Sequence, residues 1–154
     1  MGNRVGWKPL ALLVVWGGLA FGQPSGAGVP PDFQDDERLI EGMDRGIQGD
    51  YAGAIAIFSE LIRQYPTYAE AYFNRGFAKA KLKDDTGAIA DYTLAIRYNP
   101  QFAEAYQERG ELWKKQGDIP QTQQDWQTAA QLYHQQNNTV AYQGMRQKLQ
   151  LVKH

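Results

Sequence analysis

Cysteine is absent from the 154-residue chain, which removes disulfides, thiolate chemistry and thiolate metal sites together. Histidine occurs only as His134 and His154, and neither has a partner at the spacing of a metal ligand or a general base. Glycine-rich phosphate loops and nucleophile elbows are missing as well. The carboxylates fall on helix surfaces, where solvated charge is the plain reading. The chain therefore reads as no enzyme, with no cofactor and no metal. A basic excess is also lacking: 16 Lys and Arg stand against 17 Asp and Glu, a formal net charge of −1. Nucleic-acid binding draws most of its affinity from phosphate neutralisation, so nucleic acid is excluded as a partner. Long apolar runs are wanting too. The longest, Leu10 to Phe21, has about a dozen residues where a bilayer core asks for ~20.

What is there begins with that run. Arg4 and Lys8 precede it and small residues follow, the pattern of a secretory signal over residues 1–22. Cleavage after Ala20, Gly22 or Ala27 fits equally well. The expected outcome is export across the inner membrane, to a periplasm or equivalent lumen or out of the cell. The alternative is an uncleaved membrane anchor formed by residues 10–21. Residues 23–34, QPSGAGVPPDFQ, are rich in Pro, Gly and Ser without a period and read as a flexible linker.

The rest of the chain repeats itself. GAIAIFSELIRQYP at residues 53–66 returns as GAIADYTLAIRYNP at 87–100. Gly42, Gly76, Gly110 and Gly144 keep a 34-residue step, as do Asp50, Asp84 and Asp118, and Phe58, Tyr92 and Trp126. Each unit reads as two helices. In the second unit Ala69 to Leu82 carries one apolar stripe. After a break at Lys83–Asp85, Ala88, Ile89, Tyr92, Ala95 and Ile96 fall on one face of a 3.6 period. Asp84 or Asp85 is placed to cap the second helix, and Asn99-Pro100 to end it. The recurrent glycine removes a side chain where paired helices approach. A single pair cannot bury enough to stand alone, so the pattern predicts an all-α fold, an α-solenoid of antiparallel helix pairs. Its units are 35–68, 69–102 and 103–136, followed by a C-terminal capping helix within 137–154. Arg75 and Arg109 each have an Asp sixteen residues on, Asp91 and Asp125, whereas Glu41 has Ile57. That spacing suggests an ion pair between the helices of units two and three.

Over roughly residues 35–153 the chain resembles the tetratricopeptide repeat (TPR) family, whose pattern is W-x2-L-G-x2-Y, then A-x3-F, then P. The glycine is present in every unit; the alanine is Ala54, Ala88 and then Thr122, the proline Pro66, Pro100 and then His134. The leucine place departs throughout, as Glu41, Arg75 and Arg109. The wording AEAYFNRG…GAIADYTLAIRYNP is similar to repeats of bacterial, notably cyanobacterial, type. The resemblance implies a TPR superhelix and says little about function.

It also implies where a ligand would sit, on a concave groove lined by the first helix of each pair. The matching places give Asp36, Leu39, Ile40, Met43 and Ile47 in unit one, and Glu70, Phe73, Asn74, Phe77 and Lys81 in unit two. Unit three gives Glu104, Gln107, Glu108, Glu111, Lys114 and Lys115. The groove thus reads apolar at one end and acidic at the other. Some family members grip a peptide's terminal carboxylate with Lys, Asn, Asn, Lys and Arg. Here those places hold Leu39, Met43, Asn74, Glu104 and Glu108, so such a tail is unexpected. The expected activity is a protein-binding scaffold or assembly factor. Leu39, Met43, Phe73 and Phe77 would hold apolar residues of a partner protein or peptide, with Asn74 in the same groove. Glu104, Glu108 and Glu111 would attract its basic residues. The other reading of the glutamates is a wet helix face, with Glu111 supported by Lys115. The other reading of the apolar set is self-covering, by Phe33 and its linker or by a first helix turned to bury it. A second functional reading is a self-associating structural protein, a homo-oligomer joined through the first repeat. Contact with membrane is expected only through the N-terminal segment, if it is not cleaved.

Overall fold

The computed structural model describes residues 37–152. The signal segment, the linker with Phe33, and the last two residues lie outside the described residues. Among those described there are seven helices and no strand: α1 Glu37–Ile47, α2 Tyr51–Gln64, α3 Ala69–Lys81, α4 Asp85–Tyr98, α5 Ala103–Gln116, α6 Ile119–Gln135 and α7 Thr139–Leu151. None is long and apolar enough to cross a membrane.

Local chemistry sets the helix starts. Asp50, Asp84 and Asp118 each accept a backbone N–H three residues on, from Gly53, Gly87 and Gln121, at 2.9, 2.9 and 3.1 Å. Asn138 does the same for α7 through Ala141, at 3.1 Å. Each cap satisfies an amide that the first turn leaves unpaired. The sequence left Asp84 and Asp85 open, and Asp84 is the cap. α3 and α5 begin differently, behind Tyr68 and Phe102, which make no side-chain cap and instead enter the core. The first helices end in left-handed residues that also keep the period, Gly49, Lys83 and Gly117. α6 departs from the period. With His134 where Pro66 and Pro100 stand, nothing stops it, and it runs on to Gln135 as a 17-residue helix against 14 for α2 and α4.

Packing follows the repeat. Phe58 lies on Gly42, Tyr92 on Gly76 and Trp126 on Gly110. A Cβ at those glycines would come within 2.6, 3.0 and 2.5 Å of the ring atoms. Three apolar clusters result, and each spans a junction. One joins Leu39, Ala54, Phe58, Leu61 and Tyr68 to Ala71 and Ala78 of the next unit. The second joins Tyr72, Phe73, Ala88 and Tyr92 to Phe102, Ala105 and Leu112. The third joins Ala103, Trp126, Ala129 and Tyr133 to Met145 of α7. Each helix packs on its sequence neighbour, and α1 also touches α3. The core is therefore a row of small cores shared between neighbours, which is an all-α solenoid.

The ion pairs form. Arg75 clasps Asp91 through two parallel bonds of 2.9 and 2.7 Å, and Arg109 clasps Asp125 at 2.8 and 2.8 Å. Each arginine also reaches back one unit, Nη1 donating to Ser59 Oγ at 3.3 Å and to Thr93 Oγ1 at 3.0 Å. One guanidinium thus ties three helices. In unit one Glu41 pairs within its own helix, with Arg45 at 3.6 Å.

Candidate functional site: the first-helix groove

On α3, Glu70, Phe73, Asn74, Phe77 and Lys81 follow i, i+3, i+4, i+7 and i+11 and share one face. One period on, α5 carries Glu104, Gln107, Glu108, Glu111 and Lys115 on the same side of the array. The structure sorts these residues into two groups. Leu39 is fully buried among Ala54, Phe58 and Leu61, so α1 is turned to bury it and a ligand cannot reach it. Phe73 is likewise core, stacked at 4.7 Å on Phe102 and 5.6 Å on Tyr92. Met43 lies half-buried against the first cluster. Phe77 is half-buried with the Lys81 ammonium 4.8 Å above its ring. Asn74 is buried, and Glu104, Glu108 and Glu111 are half-buried.

The acidic stripe is knitted rather than wet. Tyr133 Oη donates to Gln107 Oε1 at 3.1 Å, and Gln107 Nε2 donates to Glu108 Oε1 at 3.1 Å. Glu111 is paired with Lys148 of α7, not with Lys115, which turns instead to Asp85. Loss of hydration pushes the carboxyls of Glu70, Glu104 and Glu108 above the usual glutamate value. Neighbouring Glu111 pushes Glu108 further up, while Gln107, Lys148 and Lys81 pull it back. Burial also pushes the phenols of Tyr92 and Tyr133 well up, with Glu108 adding to both and Glu104 to Tyr133. Glu70 joins this acidic stripe. It holds in unit two the place of Glu104 in unit three, and the 34-residue step marks it. Among the described residues no three acidic or histidine side chains stand close enough to hold a metal ion.

Tetratricopeptide repeat models match residues 43–68 and 69–102, the latter coinciding with the second helix pair. Residues 43–102 are tetratricopeptide repeats. The third TPR pair, α5 and α6, follows from the same Gly110–Trp126 contact and the same arginine clasp. Among solved structures, the chain is similar to the TPR2B domain of yeast Sti1 in a pHsp70 complex. The two are 24% identical over 79% of this chain and 98% of that one, with a TM-score of 0.72. The first TPR of Spaghetti (RPAP3), bound to the HSP90 peptide SRMEEVD, is 25% identical over 82% of this chain and 100% of that one, at 0.67. The type III secretion translocator chaperone SycD of Yersinia enterocolitica is 13% identical over 77% and 82%, at 0.72, and shares the fold. No curated protein matches the sequence.

Proposed function

We propose that this chain is a non-enzymatic scaffold or assembly factor that holds a peptide or helix of a partner protein in its first-helix groove. The observation that carries the reading is the stripe of desolvated carboxylates, Glu70, Glu104 and Glu108, beside half-buried Phe77 and Met43. A segment with apolar and basic residues complements both. The RPAP3 domain lends support, since its ligand is a peptide. Its acidic peptide would meet carboxylates here, so the preferred chemistry is inverted. Selection of displayed random 12-residue peptides on the full chain tests this. Selected sequences should be enriched in Lys or Arg next to Leu, Ile or Phe. Met43→Ala with Phe77→Ala should weaken them at least about tenfold while helicity is retained. Acidic selections, or full binding by that double variant, would sink the reading.

Self-association through the first repeat is favoured by one feature, the exposure of Ile40 at 44% and Ile47 at 53% on α1. A mass that rises with concentration and returns to monomer in Ile47→Glu would establish it in place of the scaffold. The residues ahead of the repeats supply the location we propose, export across the inner membrane. A fusion to a reporter active only after export checks it.

A further inference from the structure

The last junction of the row is filled differently from the two before it. Ile55, Ile62 and Ala78 stand at the first, and Ile89, Ile96 and Leu112 at the second, one 34-residue step on. The same step puts Gln123, Ala130 and Arg146 between α6 and α7. An isoleucine and a leucine have become long polar side chains, which turn their heads to water instead of packing. Two adjoining hollows of about 340 and 380 Å³ open there, sharing Gln127, Arg146 and Leu149. His134 and Tyr142 wall the second, their rings meeting edge-on at 5.1 Å. Arg146 is exposed, its guanidinium 5.8 Å from the Tyr142 ring, and it makes no ion pair among the described residues. Neither Glu70, Phe77 nor Glu108 lines these hollows, so the place is separate from the first-helix groove.

Charge says what fits. Past Asp125 the sequence has no acidic residue, so α7 holds nothing to answer Arg146. On α6, Asp118 caps the helix and Asp125 is held by Arg109. The acidic surplus stands at the other end of the chain. Residues 32–36, Asp-Phe-Gln-Asp-Asp, offer three carboxylates, one phenyl ring and no cation. They join α1, three unit steps of about 10 Å from α7, whereas five residues span at most ~18 Å. Their own α7 is out of reach, and only another molecule's is available. We propose that residues 32–36 of a second copy seat in the α6–α7 hollows, an aspartate on Arg146 and Phe33 against Tyr142 and Leu149. A carboxylate meets a guanidinium through two parallel hydrogen bonds, and the ring covers the apolar part of the wall. The start of one copy then lies on the end of the next, a heterologous contact that builds open rows. The first-helix groove stays free, so the scaffold reading stands or falls by itself.

The acetylated, amidated peptide of residues 31–36, PDFQDD, is the probe, and the same peptide with each Asp replaced by Asn is the control. The dilute full chain is titrated with each and followed by NMR. The probe should shift the Gln127 and Gln131 side-chain amides and the Arg146 Nε–H along a saturating curve, and the control should not. Arg146→Glu, at an exposed position, should weaken the response about tenfold or more with helicity retained. In sedimentation, the mass of the full chain should rise with concentration and fall as salt is raised to about 0.5 M. Arg146→Glu, or Asp35→Lys with Asp36→Lys, should each abolish the rise. Mixed, these two variants should form dimers and nothing longer, because only one contact is restored. Arg97→Glu on α4 and Ile47→Glu on α1 should change neither readout. Equal responses to the two peptides, or an unaltered response in Arg146→Glu, would overturn the site. Probe binding by a chain whose mass never rises would give the hollows to another protein's acidic segment and overturn the second copy. A rise abolished by Ile47→Glu but not by Arg146→Glu would move the contact to the first repeat. A rise indifferent to salt and to every variant would move it to the apolar N-terminal run, and either result overturns the proposal.

Discussion

Units two and three are clasped by buried arginine–aspartate pairs, and unit one is not. Yet the three share the same glycine under the same aromatic and the same capped second helix. The difference separates what makes a helix pair from what is added to it. Close approach at Gly42, Gly76 and Gly110 is common to all and sets the pair. The arginines reach back to Ser59 and Thr93, so they join one unit to the one before it. Unit one has no predecessor among the described residues, and Glu41 with Ile57 stands where the clasp would be.

The largest effect should come from breaking one clasp and sparing the other its full loss. Arg109→Ala leaves Asp125 buried and unpaired, at about 3–5 kcal/mol by urea denaturation. Arg75→Ala should lose less, by about 1.5–3 kcal/mol, because Lys79 remains 2.8 Å from Asp91. Equal losses would mean that Lys79 does not hold Asp91. A smaller contrast lies between glycines. Gly110→Ala would push a methyl to 2.5 Å from Trp126 and should cost about 1–3 kcal/mol. Gly144→Ala meets nothing within 4 Å and should raise the stability by up to about 1 kcal/mol through helix propensity. Among the described residues α7 repeats the glycine with no ring packed on it.

The smallest effect is on pH. In Glu70, Glu104 and Glu108 the folded value lies above the ordinary 4.5, so the folded chain binds their protons more tightly than the unfolded one. Their contribution is full below 4.5 and is lost as pH rises through the folded values. Stability should therefore rise modestly as pH falls from neutrality toward 5. Glu104→Gln should flatten that slope and stabilise the neutral protein.

Much of this was legible before any coordinate. A spacing of sixteen between Arg75 and Asp91 names two helices facing each other once the period of thirty-four is seen. Asp50, Asp84 and Asp118 announce the second helices through local chemistry alone. The groove was less legible. Leu39 and Phe73 were read as lining the groove, yet Leu39 packs into the first apolar cluster and Phe73 onto Phe102 and Tyr92, which buries both. Glu111 has a helical neighbour in Lys115, but Lys148, from α7, reaches it instead. His134 in the place of a proline lengthened α6, an effect readable only after the stop was known to be missing.

By itself, then, the sequence determined the unit: where each helix starts, which face is apolar, and which partner it needs one helix later. These depend on atoms a few residues apart or on a repeat that states its own register. The stacking of units decided which groove residues a ligand can touch and which carboxylates keep a lysine. Such outcomes depend on the angle between successive pairs, and that angle is set by many small contacts at once rather than by any one residue.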